Sequence, residues 1–372
     1  MVTILLAGGG TGGHVFPMVA VGEALQALRA DVRVVYVGTP RGIESRVVGA
    51  TGAQLELLDV LPLRGHGLPG LVRGALRAAG VVPKARRLVQ ALAPRVVFSV
   101  GGYAAGPVAL AAWSAGVPVT LLEPNAVPGF TNRLLAPLTR RIYVGFPEVA
   151  QSFRGRDVRW TGVPLRCRFA PVAPPPPRAA ANLLVLGGSQ GAKGLNDVLP
   201  AAVAECRARG CELRVMHQAG RGKDEQVRRR YQELGLEQLS EVRPFIDDVA
   251  GALADADVVV ARSGASSVAE LCAVGRPAIL VPYPYAADDH QRHNAESLAR
   301  AGGAICIPQP EATAARVAEA LLSLASDPDL RRRMALQAAE RGRPDAAREV
   351  AQDLVAIAEA SPGDAGGKET LS

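Results

Sequence analysis

The residues best able to do chemistry sit in glycine-rich turns. Gly8-Gly9-Gly10-Thr11-Gly12-Gly13-His14 follows an apolar run and opens a helical stretch. Such a turn brings backbone N–H groups close to a ligand, typically an anion. The spacing is not the G-x-G-x-x-G of a dinucleotide loop, and Val37-Gly38-Thr39 offers no acid for a ribose. His14 closes the turn. A helix N-terminus disfavours imidazolium, so this ring tends to stay neutral and able to accept a proton. A lone histidine is more often structural; its place at the end of this turn favours a functional one.

Four further segments repeat the theme. Gly101-Gly102-Tyr103-Ala104-Ala105-Gly106-Pro107 again joins an apolar run to a helix. Two such loops in one half suit a pyrophosphate, while tight helix–strand packing explains this one equally well. Gly187-Gly188-Ser189-Gln190-Gly191-Ala192 places Ser189 where it can donate to a phosphate. In Arg262-Ser263-Gly264-Ala265-Ser266-Ser267-Val268-Ala269-Glu270, Glu270 stands three residues after Ser267 and four after Ser266. That spacing puts the carboxylate on the same helix face as the serines. It can then take two ribose hydroxyls while a diphosphate sits on the helix N-terminus. A capping box of Ser267 with Glu270 fits the same spacing. Asp288-Asp289-His290-Gln291-Arg292-His293-Asn294 is dense in polar groups. Asp288, His290 and His293 are a conceivable metal set, but no further matched ligands accompany them, and sugar-hydroxyl recognition is favoured.

Short branched apolar runs must position these turns. Residues 2–6, 32–37, 96–100, 117–122 and 141–144 read as buried parallel strands, with helices such as 15–30 and 107–115 between them. A second series follows at 183–186, 213–217, 258–261, 278–281 and 304–307. Pro174 to Pro177 cannot be helix or central strand, so a linker runs near 162–178. The expected fold is α/β: two doubly wound Rossmann-like domains facing a cleft. The boundaries are 1–163 and 164–344. An amphipathic helix at 345–360 returns to the first domain, and a polar tail at 361–372 is expected to be disordered.

Of the 372 residues, 48% are hydrophobic but only 4% aromatic, so the cores rest on Ala, Val and Leu. The five cysteines stand apart with no metal-type pairing, which fits reduced thiols in the cytoplasm. The N-terminus reads as a first strand rather than a signal peptide, and no apolar run is long enough to cross a bilayer. The net charge of +7 is uneven: residues 60–122 contain no Asp or Glu. Arg64, Arg73, Arg77, Lys84, Arg86, Arg87 and Arg95 stand there, interleaved with Leu63, Leu68, Leu71, Val72 and Leu76. Basic and apolar residues on one segment favour a membrane surface over nucleic acid.

Taken together, the turns resemble those of the murein N-acetylglucosaminyltransferase (MurG) family, which has the GT-B glycosyltransferase fold. The matching text runs in order: AGGGTGGHVFP at 7–17, GGYAAGP at 101–107, EPNAVPGFTNR at 123–133, GVPLR at 162–166, GGSQGA at 187–192, HQAGRG at 217–222, RPFIDDVA at 243–250, RSGASSVAEL at 262–271 and DDHQRHNA at 288–295. The chain departs from the family's His-Glu-Gln-Asn at Leu122-Glu123-Pro124-Asn125, and has Val163 where the family usually has Asn.

The resemblance implies inverting transfer of N-acetylglucosamine from a UDP donor to the muramic 4-hydroxyl of undecaprenyl-pyrophosphoryl-MurNAc-pentapeptide, forming lipid II. It implies His14 as general base, with Thr11, Gly12 and Gly13 lining the donor sugar and diphosphate. Asn125 and Gln291 would bond sugar hydroxyls, and Arg166 and Ser189 the diphosphate. The Ile246 backbone would read uracil, Glu270 the ribose, and Ala265, Ser266 and Ser267 would complete the donor site. Gly102, Tyr103 and Gly106 would face the acceptor diphosphate. No cofactor, metal or nucleic acid is implied. The partners are the donor, the lipid-linked acceptor, and the cytoplasmic face of the inner membrane, met peripherally through 63–87. The competing readings are a UDP-N-acetylglucosamine epimerase, a transferase for another lipid, and a non-catalytic nucleotide-sugar binder.

Overall fold

The computed structural model describes residues 1–360 except Gly10, Thr11, Arg41, Ala50, Thr51, 61–67, Tyr103, Cys167, Arg168, Pro174, Pro176, Pro177, Ala179 and Ser189; for Arg46 and 68–79 it describes the backbone alone. The tail 361–372 therefore lies outside the described residues. The chain divides into two units. Unit 1 is Met1–Pro124, Pro128–Leu165 and the chain from Asp345; unit 2 is Asn125–Val127 and Arg166–Pro344.

Unit 1 holds β1 (Val2–Ala7), α1 (Gly12–Leu28), β2 (Val32–Gly38), α2 (Glu44–Gly49), β3 (Gln54–Leu57), α3 (Leu68–Leu92), β4 (Val96–Ser99), α4 (Ala105–Ser114), β5 (Val119–Glu123), α5 (Phe130–Leu135), β6 (Arg141–Val144) and β7 (Val158–Trp160). Its seven strands run in the order β3-β2-β1-β4-β5-β6-β7, all parallel. Side chains alternate across a strand, so β1 feeds two cores. Ile4 and Leu6 pack with Val19 and Leu25 of α1; Leu5 and Ala7 pack with Val89 of α3 and Val108 of α4. Burial on both faces explains why the strand reads as one apolar run.

Unit 2 holds β8 (Ala181–Leu186), α6 (Lys193–Ala208), β9 (Leu213–Gln218), α7 (Asp224–Glu233), β10 (Ser240–Arg243), α8 (Val249–Asp255), β11 (Val258–Ala261), α9 (Ala265–Val274), β12 (Ala278–Leu280), α10 (His290–Arg300), β13 (Ala304–Cys306), α11 (Ala314–Ser326) and α12 (Pro328–Glu340). Its sheet is again parallel, in the order β10-β9-β8-β11-β12-β13. Three strands lacked an apolar signature: β3, β7 and β10. All lie at sheet edges, and β10 reads Ser-Glu-Val-Arg. An edge strand needs only partial burial, so it carries polar residues that a sequence pattern assigns to loop.

The last helix, α13 (Ala346–Glu359), belongs to unit 1. Its apolar stripe, Val350, Ala351, Leu354, Ile357 and Ala358, enters the core beside α1. Burying each of its large side chains contributes about 1.5–3 kcal/mol. Polar ties fix its angle. Asp353 accepts from Arg141 at 2.5 Å and from the Tyr143 hydroxyl, and Arg95 donates to Ala358 O at 3.0 Å. In unit 2 the Arg276 side chain is 1% exposed. It donates to the carbonyls of Val172, Ala173, Leu253, Ala254 and Gly275. That buried cation ties the connecting segment to the end of α8, and burial pulls its pKa below the usual arginine value.

His217, on β9 of the unit 2 sheet, is fully buried. Its Nδ1 lies 3.1 Å from the Tyr231 hydroxyl and its Nε2 3.1 Å from Asn196 Oδ1. An amide oxygen only accepts, so Nε2 carries the hydrogen and Nδ1 accepts from Tyr231. Burial pushes this imidazole down to about 3. Between that value and the ordinary 6.5 the unfolded chain binds the proton and the folded chain does not. Stability from this group is therefore complete above pH 6.5 and is lost on acidification. Denaturant titrations should show unit 2 losing about 2 kcal/mol between pH 7 and pH 5, and His217→Gln should flatten that slope.

Candidate functional site

Each sheet has a switch point, where consecutive crossovers leave a central strand in opposite directions and open a crevice at the strand ends. In unit 1 it lies between β1 and β4. The loops leaving those strands are the Gly8–His14 and Gly101–Gly106 turns. They meet backbone to backbone: Gly102 has φ +82°, and a Cβ there would lie 2.5 Å from Gly9 O. The helix begins at Gly12, so His14 is its third residue, half-buried, rather than the last residue of a loop. Gly12, Gly13 and His14 thus open α1, and Gly102 and Gly106 stand at the start of α4, on the two loops that touch at Gly9 and Gly102. Thr11 and Tyr103 lie outside the described residues.

Behind these loops stand acids that motif reading passed over. Glu44, the first residue of α2, is fully buried and accepts from Thr39 N and Oγ1 at 3.3 and 3.4 Å. A Cβ on Gly9 or Gly42 would collide with its carboxylate. An acid does stand beside the end of β2, then, but it is turned into backbone and not towards a ribose. Glu123, at the end of β5, accepts from Gly129 N and Asn132 Nδ2, both at 2.8 Å. Asn132 also donates to Leu122 O at 3.1 Å and rests its Oδ1 against Gly101. Leu122 itself is in the core with Phe98 and Tyr143, and Val163 is buried against Gly145. Both departures from the family pattern are therefore core substitutions.

In unit 2 the switch point lies between β8 and β11. The Gly187–Gly191 loop leaves one strand and Arg262-Ser263-Gly264 the other. The N-cap of α9 is Gly264, with no side-chain cap. Ser267 is then the third helical residue, which rules out its capping box with Glu270. Ser266 Oγ is buried with no hydrogen-bond partner, at the helix end where a phosphate oxygen would be welcomed. Ala265 is buried, while Ser266, Ser267 and Glu270 are half-buried. Ser189 lies outside the described residues, and Arg166 stands half-buried at the start of the unit's main segment.

Asn294 organises the rest and was absent from the candidate residues. It is fully buried. Its Nδ2 donates to Ser263 O at 3.1 Å and Asn125 Oδ1 at 3.2 Å, and its Oδ1 accepts from Ala126 N at 2.8 Å. Asn125–Val127 thereby joins unit 2 although its flanks belong to unit 1. Ser263 Oγ donates to Gln291 O at 2.7 Å, and Gln291 Oε1 accepts from Tyr283 N at 3.0 Å. Asn125, Gln291 and the start of α9 are thus one hydrogen-bonded group. Ile246 is buried and donates its N–H to Gln218 Oε1 at 3.3 Å. Arg262 is committed to structure: it donates to Val281 O, Pro282 O and Gln309.

The metal alternative is not assembled. Among the described residues no group of three His, Cys, Asp or Glu could hold an ion. His290 Nδ1 is 2.7 Å from Ala287 O, and Asp289 pairs with Arg292 at 2.5 Å.

Two parallel sheets with glycine-rich loops at both switch points give the architecture of a GT-B glycosyltransferase, and the known families agree. Residues 4–144 match the glycosyltransferase family 28 N-terminal domain and residues 182–350 its C-terminal domain. A UDP-N-acetylglucosamine--N-acetylmuramyl-(pentapeptide) pyrophosphoryl-undecaprenol N-acetylglucosamine transferase from Sorangium cellulosum (strain So ce56) is 60% identical over 97% of this chain and 89% of its own length. The crystal structure of Acinetobacter baumannii MurG superposes with TM-score 0.81 at 31% identity, covering 96% of this chain and all of that one. The chain belongs to this MurG family of N-acetylglucosamine transferases. A putative UDP-N-acetylglucosamine 2-epimerase from Listeria monocytogenes shares the fold alone, with TM-score 0.67 at 14% identity over 94% of each chain.

Asn294→Leu keeps the size of the side chain but removes the acceptor for Ala126 N together with the donations to Ser263 O and Asn125. The variant should lose about 2 kcal/mol of unit 2 stability. Hydrogen exchange should show Ala126 N–H losing protection; unchanged protection would mean Asn294 does not hold this segment.

Proposed function

We propose that this chain transfers N-acetylglucosamine from UDP-N-acetylglucosamine to the N-acetylmuramyl-pentapeptide of an undecaprenyl-pyrophosphoryl lipid, the step that forms lipid II. The 60% identity over 97% of the chain to a relative of that name carries the reading. Unit 2 takes the donor: Ile246 reads the uracil, Glu270 the ribose, Arg166, Ser189 and the start of α9 the diphosphate, and Asn125 with Gln291 the sugar hydroxyls. Unit 1 takes the acceptor, with its diphosphate at Gly102, Tyr103 and Gly106.

The reaction is one in-line displacement with inversion. The muramic 4-hydroxyl oxygen bonds to the anomeric carbon as the bond from that carbon to the diphosphate oxygen breaks. His14 takes the hydroxyl proton, and Thr11, Gly12 and Gly13 present backbone to the donor. Arg166 and Ser266 stabilise charge arriving on the departing UDP, since Ser266 Oγ is a buried donor with no protein partner. No metal or cofactor has a step in this scheme.

The protein works at the cytoplasmic face of the cell membrane as a peripheral enzyme. Among the described residues no helix is long and apolar enough to cross a bilayer. On α4, which packs against α3, Leu110 and Trp113 are exposed, and α5 exposes Phe130 and Leu134. Lys84, Arg86 and Arg87 of α3 are exposed as well. Residues 61–67 and the side chains of 68–79 lie outside the described residues, so the basic and apolar segment 63–87 enters here on its sequence.

The deciding experiment supplies labelled donor with a short-chain lipid-linked muramyl-pentapeptide. Label should enter the lipid only with that acceptor; conversion of the donor to another sugar without acceptor would replace this reading by the epimerase. His14→Ala should lower kcat by about 10²–10⁴-fold with little change in donor KM, and a loss under about threefold would remove His14 as base. Flotation with phosphatidylglycerol vesicles should carry the protein upward at low salt. Leu110→Ser with Trp113→Ser should weaken that binding about tenfold, and an unchanged partition would discard this face.

A further inference from the structure

Gln218 is the last residue of β9 and is 3% exposed. Its strand lies between β8 and β10. The loop leaving β8 carries Gly188, and the segment leaving β10 carries Ile246. Gln218 Nε2 donates to Gly188 O at 2.8 Å, while its Oε1 accepts from Ile246 N at 3.3 Å. A carbonyl can only accept and an N–H only donate, so one orientation of the amide satisfies both. The strand end is held in place by its own contacts. Ala219 N donates to Arg243 O at 2.9 Å, and Asn196 donates to Ala219 O at 2.9 Å. Lys223 Nζ adds a second tie to the β8 loop, donating to Gln190 O at 2.6 Å.

We infer that Gln218 is a positioning residue that sets the spacing between the base-reading segment at Ile246 and the diphosphate loop at Gly188, so that the two halves of a uridine diphosphate bind as one unit. The inference rests on the donor assignment made above. Without the bridge each loop still offers its own backbone groups. What is lost is their register, and register matters only to a ligand that touches both. Affinity for the joined ligand then falls while affinity for its separate parts does not.

Calorimetric titration of the full chain with uridine, inorganic pyrophosphate and UDP tests this. Gln218→Met keeps the length of the side chain and removes both hydrogen bonds. UDP should bind about tenfold more weakly, with uridine and pyrophosphate each within about twofold of the unaltered protein. UDP binding unchanged, or uridine weakened by the same factor as UDP, would overturn the inference. If the variant does not fold, the unaltered chain decides: saturating pyrophosphate should slow hydrogen exchange at Ile246 N–H, and unchanged exchange would overturn it. A wild-type chain that binds no UDP would instead overturn the donor assignment itself.

Discussion

Neighbouring parallel strands end about 4.8 Å apart, so the loops that leave them have room for backbone and little else. Everything at the two switch points follows from that spacing. In unit 1, Gly9 is wedged between the Gly102 backbone and the Glu44 carboxylate. In unit 2, a Cβ on Gly191 would collide with Ala219 O. The glycines permit this close approach of loop to loop.

Loops without side chains cannot hold themselves in place. The fold supplies buried polar groups from behind to do it. Glu44 stands behind Gly9, Asn132 behind Gly101, Gln218 behind Gly188, and Asn294 behind Ser263 and Asn125. Each is nine-tenths or more buried. A buried polar group costs several kcal/mol when its partners are withdrawn, so such a group tolerates few alternative loop conformations.

One fold carries more than one chemistry. A transferase and an epimerase superpose on this chain at TM-scores of 0.81 and 0.67. Architecture alone does not separate the two chemistries. What separates them is the family match, to glycosyltransferase family 28 domains at residues 4–144 and 182–350. Sequence identity over nearly the whole chain points the same way.

The sequence alone determined the two parallel sheets, because strands buried on both faces must be continuous apolar runs, and it determined the turns, because positions such as Gly9, Gly102 and Gly191 have no room for a Cβ. It also carried the order of the family motifs. It did not reveal the edge strands β3, β7 and β10, whose half-exposure permits polar residues. It did not reveal Glu44, Asn132, Gln218 or Asn294 as supports either. Each acts on a loop distant in sequence: Asn294 lies 169 residues from Asn125, and Gln218 lies 30 from Gly188 and 28 from Ile246. A single buried amide leaves no periodic pattern, and its partners are backbone atoms that every residue type possesses. Tertiary structure decided those contacts because only the order of strands in the sheet brings their ends together.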